Sequence, residues 1–116
     1  MGEELLDINE FLERVQDDKE LLLELLDIFA NDYIHKRSLL DQAIVAKDFE
    51  QIRNITHSLK GASGNISAKS MRQILLSLEE KGKNKDLSDA DELLSRLDQI
   101  FENLKVRFDQ VKKEFS

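Results

Sequence analysis

The sequence predicts an all-α fold, an antiparallel four-helix bundle with a short additional N-terminal helix. Three observations carry this reading. Apolar residues recur at three- and four-residue spacing along the chain and nowhere alternate with period two for long enough to make a sheet. Four helix starts are marked by a short oxygen-bearing side chain with an acid or amide three residues later: Asp7 with Glu10, Asp17 with Glu20, Asp48 with Gln51, and Ser88 with Asp91. The chain has no proline to interrupt the segments between them.

The first helix, 7 to 15, is short and turns Ile8, Phe11, Leu12 and Val15 inward. The second, 18 to 46, carries Leu22, Leu25, Leu26, Phe29, Tyr33, Leu40 and Ile44 on its apolar side. The third begins at Asp48, has Ile52, Ile55, Leu59, Ala62 and Ile66 as its core stripe, and is expected to end near Gly64-Asn65, residues that tolerate the left-handed conformation of a helix end. The fourth, 67 to 81, buries Met71, Leu75 and Leu78 and stops at Gly82, with a polar connection from Lys83 to Leu87. The last, 89 to 115, places Leu93, Leu97, Ile100, Leu104, Phe108, Val111 and Phe115 on one stripe. Stripes of this kind need neighbours to cover them, and short loops favour antiparallel ones.

At 116 residues, the chain is expected to be a single domain, 1–116. The absence of cysteine removes disulfides, thiol chemistry and thiolate metal sites. No apolar run approaches the roughly 20 residues that span a bilayer, so no membrane insertion is expected. Met1-Gly2-Glu3-Glu4 lacks the basic and apolar regions of a signal peptide, which makes a cytoplasmic setting the expectation. With 24 acidic against 17 basic residues the net charge is −7, and phosphate backbones repel such a surface, so nucleic acid is not an expected partner.

The acids are unevenly placed. Between Glu50 and Glu79 lie 28 residues without Asp or Glu, while Arg53, Lys60, Lys69 and Arg72 fall inside that window. A local basic patch suits an acidic partner face or a phosphoryl group. A buried hairpin, which needs few charges of either sign, would leave the same pattern. One of the two histidines, His57, lies in this window, two residues from Ile55 and two from Leu59, and so away from the core stripe and towards solvent. Its face is shared by Arg53, Asn54, Lys60 and Gly61, with Gly64 a turn further. Glycine inside a helix costs about 1 kcal/mol relative to alanine. Gly61 therefore needs a reason, and close approach of another protein's backbone to the ring supplies one. A surface histidine alone would say little; the combination with Lys60, Gly61 and the acid-free window says more.

The stretch His57-Ser58-Leu59-Lys60-Gly61-Ala62-Ser63-Gly64-Asn65-Ile66 resembles the signature of histidine phosphotransfer (HPt) domains, H-x-L-K-G-[SA]-[SA]-x-x-[LIV]-G. The likeness is greatest to the domains at the C-terminal end of hybrid sensor kinases, and it extends from the Leu-rich second helix to Leu78-Glu79. Such domains are four-helix bundles. The resemblance implies that His57 is the phosphoacceptor and that the domain has no kinase activity of its own. It also implies partners: receiver domains of response regulators, a hybrid sensor kinase, or both, relaying phosphoryl groups between receiver aspartates and His57. Ser67 departs from the pattern, standing where the family usually has glycine, and a serine there would shift the turn slightly.

The residue types support a transfer chemistry. An imidazole titrates near 6.5 in water, so its neutral, nucleophilic form is available at neutral pH. Phosphoryl transfer spreads charge over three oxygens, which cations stabilise. Lys60 is the first candidate cation and Arg53 the second, both read as exposed. Mg²⁺ is expected from the receiver partner, because no convergent carboxylate set accompanies His57 and no cofactor or metal is assigned to this chain. In antiparallel helices turning near residue 68, positions 57 and 79 are equally far from the turn and meet. Family members often carry Glu or Gln at that offset, and Glu79 would then accept from Nδ1–H and leave Nε2 free. The alternative for Glu79 is a solvated acid at a helix end beside Glu80. The catalytic candidates are thus His57, Lys60 and Glu79, and the partner-binding candidates Arg53, Lys60, Gly61 and Gly64.

Two other readings compete. A non-catalytic helical adaptor or dimerisation module would share the composition but does not require histidine at this place. A carboxylate-bridged metal bundle would need a second pair like Asp32 and His35, which is missing, and His57 lies on the wrong face for it.

Overall fold

Asp7, Asp18 and Asp48 each turn a carboxylate oxygen onto the amide three residues ahead, at 3.1, 3.0 and 3.2 Å, and each opens a helix. In the computed structural model, which describes residues 5–116, five helices follow one another: α1 (Ile8–Arg14), α2 (Lys19–Val45), α3 (Phe49–Asn65), α4 (Lys69–Lys83) and α5 (Ala90–Phe115). Among the described residues there is no strand, and no helix is long and apolar enough to cross a membrane. The N-terminal Met1-Gly2-Glu3-Glu4, read above for a targeting signal, lies outside the described residues.

The capping differs from expectation in detail. The second start is Asp18 rather than Asp17, because Asp17 sits in the turn with a left-handed φ of 62°. The return arm of each expected capping box is missing, since the cap amides go elsewhere: Asp18 N–H to the Val15 carbonyl and Asp48 N–H to that of Ala43. Ser88 does not cap α5. Its hydroxyl oxygen accepts from Lys81 Nζ at 3.3 Å, and Asp89 precedes the helix in a left-handed conformation without a side-chain cap.

All four turns end their helix in the same way. The N–H groups of Gln16, Lys47, Ser67 and Lys85 bond the third carbonyl back, while those of Asp17, Asp48, Ala68 and Asp86 bond the fifth. This is the Schellman arrangement, which usually places glycine at its left-handed position. Here the left-handed residues are Gln16, Lys47, Ser67 and Lys85, and among the described residues no glycine has a positive φ. The expected left-handed ending at Gly64-Asn65 is therefore corrected to Ser67, which also delays α4 to Lys69. Ser67 is 1% exposed, and its strained backbone is tied down from α1: its carbonyl accepts from Asp7 N–H at 3.0 Å and its hydroxyl donates to Glu10 Oε1 at 2.7 Å. Lys69 closes this clasp on Asp7 and Glu10 at 3.3 and 3.2 Å.

At 1.5 Å per residue a helix the length of α2 measures about 40 Å. The long axis of the molecule is 43 Å, so α2 and α5 run its full length. α3 packs on α2 and most extensively on α4, α4 on α5, and α5 back on α2, while α1 packs against α2. Tyr33 and Phe101 stack across the α2–α5 seam with ring centroids 4.1 Å apart, and Arg37 clasps Asp98 beside them at 2.8 and 3.1 Å.

Two core stripes are rotated from expectation. On α5 Leu97, Leu104, Phe108 and Val111 are buried as expected, but Leu94 and Phe101 join them while Leu93, Ile100 and Phe115 sit at the flank. On α3, Thr56 and Ser63 are fully buried, whereas Ile55 and Ala62 sit at the edge. Both hydroxyls donate to carbonyls one turn back, Thr56 to Ile52 at 2.7 Å and Ser63 to Leu59 at 2.8 Å, so neither is left unsatisfied. Small, self-satisfied side chains let α4 come close.

Gly82 shows how close. It does not stop α4, which continues through Lys83; it lies buried inside the helix against the start of α3. A Cβ there would stand 3.0 Å from Ile52 Cγ2, 3.1 Å from Arg53 N and 3.3 Å from Phe49 O. Backbone atoms cannot yield as side chains can, so Gly82→Ala is expected to destabilise the fold by about 1–3 kcal/mol. Lys47→Gly is expected to act oppositely. It relieves a left-handed side chain, which costs about 1–2 kcal/mol, against a smaller loss from the freer unfolded chain, for a net gain of about 0.5–1 kcal/mol. Urea midpoints of the two variants check both signs.

Candidate functional site

The α3–α4 seam sets the register of the site. His57 and Glu79 face each other across it, and His57 Nδ1 lies 2.7 Å from Glu79 Oε2. The other carboxylate oxygen, Oε1, accepts from Lys60 Nζ at 2.6 Å. One carboxylate thus bridges an imidazole and an ammonium. The three side chains differ sharply in access: His57 is 69% exposed, Lys60 18% and Glu79 16%.

The hydrogen bond from Lys60 holds the Glu79 carboxyl below the usual carboxylate range; partial burial opposes this, and the bond from His57 adds to it. An ionised carboxylate can only accept. The ring hydrogen of a neutral His57 therefore sits on Nδ1, and Nε2 keeps its lone pair on the exposed side. This is the tautomer a nucleophilic Nε2 requires.

Lys60 departs from expectation. Rather than standing exposed on the His57 row, its ammonium is folded down onto Glu79, because a partly buried carboxylate across the seam offers it a strong partner. The basic window is corrected in the same sense. Glu79 closes on Lys60 and α1 brings Asp7 and Glu10 to Lys69, so residues remote in sequence supply the acids that the window lacks. Arg53 and Arg72 make no ion pair among the described residues.

Gly61 is exposed, and a Cβ there would meet nothing within 4 Å. Gly64 is half-buried, with Arg72 Cδ and Nε lying 3.5 Å from where its Cβ would be. Arg53 borders a groove of about 420 Å³ that opens beside the ring and is also lined by Asn54, Leu76, Glu80 and Lys83. Lys83 was not anticipated. Its signal was its place four residues after Glu79, one turn further along the same face of α4. On the other flank, Lys36 Nζ donates to Ser58 Oγ at 2.7 Å and pairs with Asp32 at 3.1 Å. That leaves His35 exposed on α2 and not joined to Asp32.

The site is thus an exposed imidazole with a carboxylate of the neighbouring helix against its Nδ1. The chain belongs to the Hpt domain family, whose match spans residues 7–107, and so to the histidine phosphotransfer domains of phosphorelays. Its fold is similar to that of histidine-containing phosphotransfer protein B (HptB) from Pseudomonas aeruginosa PAO1. The crystal structure of that protein superposes with a TM-score of 0.89 at 24% identity, covering 99% of this chain and 100% of that one. No curated protein matches the chain.

The depressed Glu79 carboxyl makes stability depend on pH. Its stabilising contribution is present above the unfolded glutamate value of about 4.3 and is lost as pH falls through the lower folded value. Acid titration of the wild type should show this limb, and Glu79→Gln should flatten it. An unchanged acid limb in the variant would place the responsible carboxylates elsewhere, the clasp residue Glu10 among them.

Proposed function

We propose that His57 is the phosphoacceptor of a phosphorelay, receiving phosphoryl groups from receiver-domain aspartates and passing them to others. The single observation that carries this is the Nδ1–Glu79 hydrogen bond, which presents Nε2 to solvent as the nucleophile. On this reading the four long helices form an antiparallel bundle with α1 capping one end, and α3 displays the ring. The partners are receiver domains of response regulators, a hybrid sensor kinase, or both. The domain is a cytoplasmic carrier with no kinase activity of its own.

The transfer is a displacement at phosphorus. The Nε2 lone pair attacks, the P–O bond to the receiver aspartate breaks, and its carboxylate leaves. Positive charge develops on the imidazole ring and is stabilised through Nδ1–H by the Glu79 carboxylate, as an orienting acid does in other nucleophilic sites. The receiver would supply the Mg²⁺ that such a transfer needs. The cations that border the groove without an ion pair, Arg53 and Lys83, stand where the receiver's acidic site would approach.

His57→Gln should abolish labelling from a phosphorylated receiver domain, and the wild-type label should be acid-labile and base-stable, as a phosphoramidate is. Label persisting in the variant, or moving to His35, would overturn the assignment. Gly61 belongs to the docking surface on this reading, with Gly64 a turn beyond. Gly61→Ala should be neutral or stabilising by up to about 1 kcal/mol, since its added methyl meets open space. Gly61→Gln should keep the fold while raising the apparent KM for receivers. Unaltered KM in a correctly folded Gly61→Gln protein would move the docking face away from the His57 row.

A further inference from the structure

The α3–α4 hairpin carries its register past the ring. Gly64 stands seven residues after His57 and Arg72 seven before Glu79, so this second pair meets across the seam about 10 Å nearer the Ser67 turn. There α1 closes one side and makes a cleft of about 400 Å³, lined by Arg14, Lys69 and Arg72, with Glu10 as its one acid. We propose that this cleft is a second docking point for the receiver, taking a carboxylate-rich segment of that partner while its phosphoryl group meets His57. The proposal rests on His57 being the phosphoacceptor.

Charge is the first argument. Three cations line the cleft against a single carboxylate, on a chain whose net charge is −7. The clasp accounts for part of this, since Lys69 is held by Asp7 and Glu10 at 3.3 and 3.2 Å. Arg14 reaches Glu10 only at 3.5 Å. Arg72 is exposed and has no ion-pair partner among the described residues. Even with both clasp acids counted, one positive charge is left over. A guanidinium presents it as a planar fork that matches a carboxylate.

Shape is the second. Gly64 lies inside α3 without a positive φ, so no left-handed turn explains it, and a glycine there costs about 1 kcal/mol relative to alanine. A Cβ at Gly64 would touch Arg72 Cδ and Nε at 3.5 Å, so a longer side chain would push the guanidinium away from α3. The glycine lets Arg72 lie across the hairpin, on the face that displays the ring. The Ser67 tether supplies the remaining wall, because holding α1 to the turn brings Arg14 to the same cleft.

The occupant follows from the place. A domain of 100 residues has a radius of gyration of about 13 Å, so a receiver seated on His57 also covers a point about 10 Å away on the same face. A free inorganic anion fits less well. Arg14 and Lys69 are 50% and 42% exposed, and a small ion between them would keep its water. A carboxylate carried on a docked surface is desolvated by the contact around it, and such charges govern encounter rate and choice of partner.

The test uses the full chain and the variants Arg14→Gln, Arg72→Gln and both together, each verified as folded by thermal unfolding. Transfer from a phosphorylated receiver domain is compared with labelling by potassium phosphoramidate, where Nε2 attacks phosphorus, the donor's P–N bond breaks and ammonia leaves. The double variant should raise the apparent KM for the receiver about fivefold at low salt, and less than about twofold at high salt, where screening removes the attraction. Its kcat and its phosphoramidate labelling should match wild type, because neither arginine touches the reacting group. An unchanged KM in the folded double variant would overturn the proposal, as would equal losses with both donors. A second measurement is independent of phosphorylation: ¹⁵N NMR of the wild type titrated with a hexaglutamate peptide. The Nε–H signals of Arg14 and Arg72 and the Gly64 amide should shift most, and the Gly64 shift should vanish in the double variant. Shifts confined to the surroundings of Arg53 and Lys83 would overturn the proposal. So would displacement of the peptide by inorganic phosphate at equal ionic strength, which marks a simple anion site. Failure of the underlying reading is distinct: no receiver would label wild type, or His57→Gln would be labelled as well, while the peptide titration would still judge the cleft.

Discussion

The close approach of α3 and α4 is the constraint on which the site depends. Gly82 lies so near the start of α3 that a single added carbon would press on backbone, and Thr56 and Ser63 line the seam with side chains that satisfy themselves within their own helix. With the two helices held at this separation, a carboxylate on α4 reaches both an imidazole and an ammonium on α3. A wider seam would lengthen both contacts together. Two of the three glycines of this hairpin thus divide the work: buried Gly82 lets the helices meet, and exposed Gly61 leaves the surface beside the ring clear.

The clasp at the other end of the hairpin answers a different problem. Ser67 occupies a left-handed position suited to glycine, and the molecule compensates from the N-terminal helix, with Asp7 N–H donating to its carbonyl and Glu10 accepting from its hydroxyl. The serine does not merely displace the turn slightly, as its departure from the family pattern suggested; it trades backbone ease for a tether to the N-terminal helix. Lys69, which looked like part of an exposed basic patch, is spent on the same tether. Electrostatics here are organised by helices meeting in space, and the cations left over beside the ring are Arg53 and Lys83.

How far this could be read in the sequence depended on the range of the interaction. Helix existence and most boundaries were legible because apolar spacing and side-chain caps such as Asp7 and Asp48 are local signals. The meeting of His57 with Glu79 was legible too, since equal distance from one turn sets the register of a hairpin. Thr56 and Ser63 were not, because a polar label hides how a hydroxyl can satisfy itself against its own helix when buried. Left-handed Lys47 and Lys85 were equally hidden: nothing in a lysine announces a positive φ. The fold-back of Lys60 was missed for a third reason, since a cation's exposure depends on which acid a neighbouring helix delivers to it.

The His57–Glu79–Lys60 cluster also costs little to assemble. His57, Lys60 and Glu79 lie within one helical hairpin, the outermost pair separated by 22 positions in sequence. The entropy lost in bringing them together is that of closing a single short loop, which grows only slowly with length and is among the smallest a tertiary contact can require. Contacts of such short range favour rapid folding, and a chain without proline has no slow prolyl isomerisation to delay it. The cluster therefore sits in a segment whose order of formation need not await the pairing of α2 with α5, helices far apart in the chain.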